Sequence, residues 1–133
     1  MQLKIAAIYA GLNILILLVL AFRTIRSRQT RRIVLGDGGD ADMLRTVRAH
    51  ANAAEYIPAG IAGLTLMALL APATPLWLLH AAGASLTVGR VIHALGLAAG
   101  PLNVGRMLGM ILTLTSFILM GAGLIWLGFT QEF

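Results

Sequence analysis

Residues Asp42 to Pro58 read Asp-Met-Leu-Arg-Thr-Val-Arg-Ala-His-Ala-Asn-Ala-Ala-Glu-Tyr-Ile-Pro. The stretch opens a long apolar segment and places two arginines, an asparagine and a glutamate inside it. On a helix, Arg45, Arg48, Asn52 and Glu55 recur at i, i+3, i+7 and i+10. At 100° per residue they share an arc of about 100°, a single stripe. His50 points away from that stripe and Tyr56 lies at its edge. Ionisable groups this close to apolar sequence require partners, water or a ligand. The rest of the chain reads as a membrane frame around them.

The frame follows from composition. The chain has 133 residues, 59% of them hydrophobic and only 11% charged, with a mean hydropathy of +0.88. That balance places it among integral membrane proteins as one domain, residues 1–133. There is no cysteine, which excludes disulfides, thiolate metal sites and a cysteine nucleophile. In so apolar a chain the net charge of +5 points to membrane topology and a bound anion rather than to nucleic acid.

Outward from the stripe, Ile5 to Phe22 is an apolar run of bilayer length. It is expected to be a retained span rather than a cleaved signal, because arginines follow it at once. Its Asn13 is expected to bond between helices. Arg23, Arg26, Arg28, Arg31 and Arg32 form a basic collar that faces lipid phosphates. Gly36 to Asp40 is a turn, with Asp40 or Asp42 as N-cap of the next helix. Spans are expected at about residues 4–26, 43–70, 76–97 and 102–128, with a tolerated proline at Pro58 and breakers at 71–75 and 98–101. No internal repeat or linker interrupts them. The fold class is all-α, an integral membrane four-helix up-down bundle. Nine of the ten lysines and arginines then fall at one end and only Lys4 at the other. The positive-inside rule makes the first and third connections cytoplasmic and leaves both termini on the non-cytoplasmic side.

The later helices add to the polar set. Arg90 and His93 are i, i+3 on span three, and Arg106 opens span four. Gly105 and Gly109 have the spacing of close helix packing. His80, near the far end, is a packed or interfacial histidine. Four arginines (Arg45, Arg48, Arg90 and Arg106) thus accompany one glutamate, Glu55. Arginine cannot shed its proton, so the positive excess calls for an anion. Glu55 and Asn52 complement an ammonium and amides on the same ligand. The ligand implied is a small zwitterion with several carboxylates, beside lipid that can deliver an apolar second substrate. No metal is expected, since arginines repel a cation and His50 is off the stripe. A serine hydrolase and a phosphate loop are excluded by the lack of their motifs.

The run Arg45-Thr-Val-Arg48-Ala-His-Ala-Asn52-Ala-Ala-Glu55-Tyr56-Ile-Pro58 resembles the signature of the membrane-associated proteins in eicosanoid and glutathione metabolism, the MAPEG family. The basic first connection and the Gly-Arg-x-x-His of span three extend the resemblance over nearly the whole chain. The likeness is to the bacterial type of microsomal glutathione transferase. It implies a homotrimer in a bacterial inner membrane, with glutathione as cosubstrate at the cytoplasmic end between subunits. By this resemblance Arg48, Asn52, Glu55 and Tyr56 match glutathione-binding positions, and Arg90 and His93 match a third-span pair. Arg45 joins the same set, as does one arginine of the collar, Arg26 or a neighbour. Arg106 falls on the arginine proposed to stabilise the glutathione thiolate.

Leu97 and Met110 stand where family enzymes often carry tyrosines. Two functions therefore remain in view. One is a glutathione-dependent transferase or peroxidase acting on apolar electrophiles or lipid peroxides. The other is a non-catalytic membrane protein that keeps the fold and binds lipid or an anion, or serves as a scaffold.

Overall fold

The computed structural model describes residues 1–70, 74–100 and 103–130. Four helices account for almost all of them: α1 (Gln2–Arg31), α2 (Ala41–Leu69), α3 (Leu76–Ala99) and α4 (Val104–Thr130). The breaker residues 71–73 and 101–102 lie outside the described residues.

The helix ends follow local chemistry. α1 continues past its apolar run to Arg31, because arginine is a good helix former and no glycine or proline intervenes. Arg28 and Arg31 occupy its last turn, where cations complement the helix dipole. Arg32 then adopts a left-handed conformation at φ 57°. Its N–H bonds the Gln29 carbonyl at 3.3 Å, and the Ile33 N–H bonds that of Arg28 at 3.1 Å, a Schellman closure built without glycine. Between the two expected N-caps, Asp40 takes the role. Its carboxylate accepts from the Met43 N–H at 2.7 Å. Arg31 reaches across the turn to Asp40 at 3.1 Å and to Asp42 at 3.3 Å, and Arg45 also pairs with Asp42. The basic collar is thus tied to the start of α2.

The four helices do not form a square. α2 and α3 are the central pair; α1 packs on both from one side and α4 on both from the other, and among the described residues α1 and α4 do not touch. The α3–α4 interface is the most extensive, and glycine makes it possible. A Cβ on Gly96 would lie 2.4 Å from the Arg106 nitrogen, and one on Gly109 would lie 2.4 Å from the His93 nitrogen. Of the expected Gly105/Gly109 pair, Gly109 is thus the one the approach requires, with Gly96 opposite, whereas a Cβ on Gly105 would lie 3.5 Å from the Gly96 Cα. Asn13 is fully buried and donates to Thr87 Oγ1 at 2.8 Å, the interhelical bond expected of it. His80 is exposed and bonds the Tyr9 hydroxyl at 3.0 Å.

Four spans were expected, whereas α1, α3 and α4 are the three described helices long and apolar enough to cross a membrane, with mean hydropathies of 2.6, 1.3 and 2.1. α2 is equally long at 29 residues, but its first half carries the polar stripe and falls short on composition. Trp77 and Trp126 are both exposed at the end remote from the arginines, as aromatic side chains at a membrane interface are.

Candidate functional site

Arg90 anchors the polar interior. It is 1% exposed, carried into the bundle by the middle of α3. Each nitrogen of its guanidinium meets a different side chain, two of them on α4 and one on α2. Nε donates to Thr113 Oγ1 on α4 at 2.9 Å. Nη1 donates to Asn52 Oδ1 on α2 at 2.6 Å. Nη2 donates to Met110 Sδ at 3.4 Å. The Tyr56 ring lies beneath the cation, 5.0 Å from its centroid, and is itself held edge-on by Phe117 at 5.7 Å. Thr113 accepts this bond while donating its hydroxyl to the Gly109 carbonyl at 2.8 Å. All these partners are neutral. A buried guanidinium is therefore hydrogen-bonded and stacked, yet among the described residues no carboxylate pairs with it.

Beside it, Arg48, Asn52, His93, Leu97, Arg106 and Met110 line a cavity of about 180 Å³ between α2, α3 and α4. Two local devices position its walls. His93 Nδ1 is 3.1 Å from the Arg106 carbonyl. A carbonyl only accepts, so Nδ1 carries the proton and Nε2 remains as acceptor in the neutral ring. Asn103 fixes Arg106: its Oδ1 caps α4 by accepting from the Arg106 N–H at 2.9 Å, while its Nδ2 donates to the Gly96 carbonyl at 2.6 Å. The cavity has two arginines, an amide and an imidazole on its polar walls. It can hold an anion that also bears hydrogen-bonding amides.

The sequence placed nine residues in one site, and the structure distributes them. Arg48, Asn52, His93 and Arg106 share the cavity, with Arg90 and Tyr56 immediately behind Asn52. Glu55 is exposed and makes no ion pair among the described residues. Arg45 lines a different cavity, with Arg23 and Asp42, between α1, α2 and α3. Arg26 is exposed on α1. The single stripe on α2 divides in this way because its arc straddles both flanking helices. Asn103, Thr113 and Met110 were not assigned site roles from sequence. Asn-x-x-Arg just after Gly-Pro is an N-cap pattern that points to Asn103; Thr113, a threonine among apolar residues, carries no such mark. Among the described residues no cluster of histidine and carboxylate is arranged to hold a metal.

Comparison with known proteins bears on this arrangement. The family model described as MAPEG family matches residues 6–126. Inner membrane protein YecN of Escherichia coli strain K12 is 36% identical over 92 residues, which is 69% of each chain. The protein of that name from Escherichia coli O6:H1 matches to the same extent.

Proposed function

The chain belongs to the MAPEG family, and on that premise we propose that it is a membrane-embedded glutathione-dependent transferase or peroxidase of a bacterial inner membrane. The observation that carries the reading is Arg90, paired with no carboxylate among the described residues, behind a cavity walled by Arg48, Asn52, His93 and Arg106. Glutathione offers carboxylates to the arginines and peptide amides to Asn52. At about 180 Å³ the cavity is smaller than the ~300 Å³ at which ligand pockets begin. A neighbouring copy of the chain completes it in a homotrimer, with Glu55 facing the ligand ammonium and Tyr56 supporting the clamp from beneath Arg90. Arg45 and Arg26, outside this cavity, reach ligand only from such an assembly.

The chemistry needs a thiolate. Arg106 lowers the pKa of the glutathione thiol by stabilising its anion, and the proton leaves to solvent. The sulfur then bonds to the electrophilic carbon of an apolar substrate that arrives laterally from lipid; either a halide-type leaving group departs with the electron pair of its bond to that carbon, or a polarised C=C π bond opens and the adjacent carbon takes a proton from water. With a lipid peroxide, the sulfur instead attacks an oxygen. The O–O bond breaks, an alcohol leaves, and a second glutathione releases the disulfide and water. No metal takes part.

A second reading has its own support. Leu97 and Met110 line the same cavity and offer no hydroxyl to the thiolate, which favours a protein that binds an anion or lipid without turnover. Calorimetry separates the readings from a site that binds nothing. Wild-type protein should bind glutathione, and Arg48→Ala should weaken it roughly 30-fold or more, as loss of a desolvated charged contact costs about 2–5 kcal/mol. Absence of binding by the wild type would end the glutathione reading and leave the arginine-rich stripe as a packing or lipid-headgroup network.

A further inference from the structure

A second cavity lies on the other side of the central helix pair and shares no lining residue with the first. It measures about 260 Å³ and is walled on its polar side by Arg23, Asp42, Arg45 and Thr46. A groove of about 310 Å³ adjoins it and runs between α1 and α3, lined by Leu12, Leu15, Val19, Val91 and Leu95. Leu20, Arg23 and Ala94 belong to both, so the polar cavity is the head of the apolar groove. From Leu12 to Arg23 the helix rises roughly 16 Å, about half the ~30 Å hydrocarbon thickness of a bilayer. The groove therefore has the length of one leaflet and ends in cations at the arginine-rich end.

We propose that this groove is a binding site for one anionic phospholipid, with its acyl chain between α1 and α3 and its phosphate between Arg23 and Arg45. The charges select the headgroup. Asp42 is paired with both Arg45 and Arg31, so its charge is already offset and the cavity presents an ethanolamine ammonium with a net positive surrounding. Arg23 makes no ion pair among the described residues, so one positive charge in the cavity remains for a phosphodiester. The Thr46 hydroxyl donates to the Asp42 carbonyl at 2.9 Å, which leaves its oxygen to accept from a headgroup hydroxyl. Phosphatidylglycerol meets these demands; phosphatidylethanolamine does not.

Native mass spectrometry of the full-length protein, released from mild detergent with each lipid added at equal concentration, tests the site. Phosphatidylglycerol should be retained at least about 10-fold more strongly than phosphatidylethanolamine or oleate. Arg23→Gln, at an exposed position, should erase that preference. Leu15→Trp, also exposed, should fill the groove and lower retention without changing the number of chains. Equal retention of the two phospholipids would overturn the proposal, as would retention indifferent to Arg23→Gln. So would displacement of the lipid by millimolar inorganic phosphate, which would leave an anion site without a lipid groove. A photo-crosslinker at position 15 should label lipid; labelling of a second copy of the chain would assign the groove to a protein interface.

Discussion

Arg90 is the residue on which the site depends, and its three arms explain why arginine is required. Thr113, Asn52 and Met110 lie on two different helices, and a planar fork reaches all of them at once. Lysine is a point charge on a flexible stem and cannot. Arg90→Lys is therefore expected to cost about 1–3 kcal/mol of stability, the usual penalty for leaving buried polar groups unpaired. Thermal unfolding in detergent measures it; an unchanged midpoint would mean the three bonds do not hold the helices. Much of this was legible beforehand. Arg90 and His93 were recognisable as a shared face from their i, i+3 spacing. Their partners were not, because Thr113 lies 23 residues from Arg90 and only the packing of α3 against α4 brings it near. Glu55 shows the complementary limit: periodicity put it on the stripe with Asn52, while a few tens of degrees of helix rotation separate an inward amide from an exposed carboxylate.

Helix ends and helix crossings set where those residues stand. Asp40 caps α2, and its carboxyl is held below the usual carboxylate range, first by the Met43 N–H, which together with the Arg31 guanidinium outweighs an opposing desolvation. A depressed pKa contributes stability that is present above the unfolded value and is lost as pH falls through the folded one. The unfolding midpoint should therefore drop on acidification below the ordinary carboxylate range. Asp40→Asn, which caps without ionising, should flatten the Asp40 share of that drop; an identical pH profile in the variant would contradict the assignment. At the crossing of α3 and α4, Gly109→Ala would set a methyl 2.4 Å from the His93 nitrogen. The helices must then part, at about 1–3 kcal/mol, and His93 and Arg106 move away from Arg48. A thermal shift together with weakened glutathione binding is the expected result. The cap and the glycine spacing were both readable in sequence. The end of α1 at Arg32 was not, since an arginine in a left-handed conformation contradicts its own propensity and is held there by the Schellman bonds.

At the scale of the whole molecule, the arginine-rich end and the tryptophan end give the bundle its polarity. Reporters active only in the cytoplasm should work when fused at Asp37 and fail at Phe133; the reverse would invert the topology. The up-down order was legible from apolar run lengths. That α1 and α4 stay apart across the central pair was not, because hydropathy says which residues meet lipid and nothing about which helices are neighbours. Glu55 lies about 18 Å along α2 from Met43, at a depth where an exposed carboxylate is costly. The proposed homotrimer would cover it, and native mass spectrometry should then find three chains; a dominant monomer would leave that charge unexplained. The claim that unites these scales is that Arg106 holds a glutathione thiolate in the cavity shared with Arg48. The ultraviolet difference spectrum of glutathione on adding protein near pH 7 tests it most directly. Wild-type protein should produce thiolate absorbance, and Arg106→Ala should abolish it while leaving the affinity for S-methylglutathione little changed. Wild-type protein that binds glutathione without any thiolate signal would contradict the account.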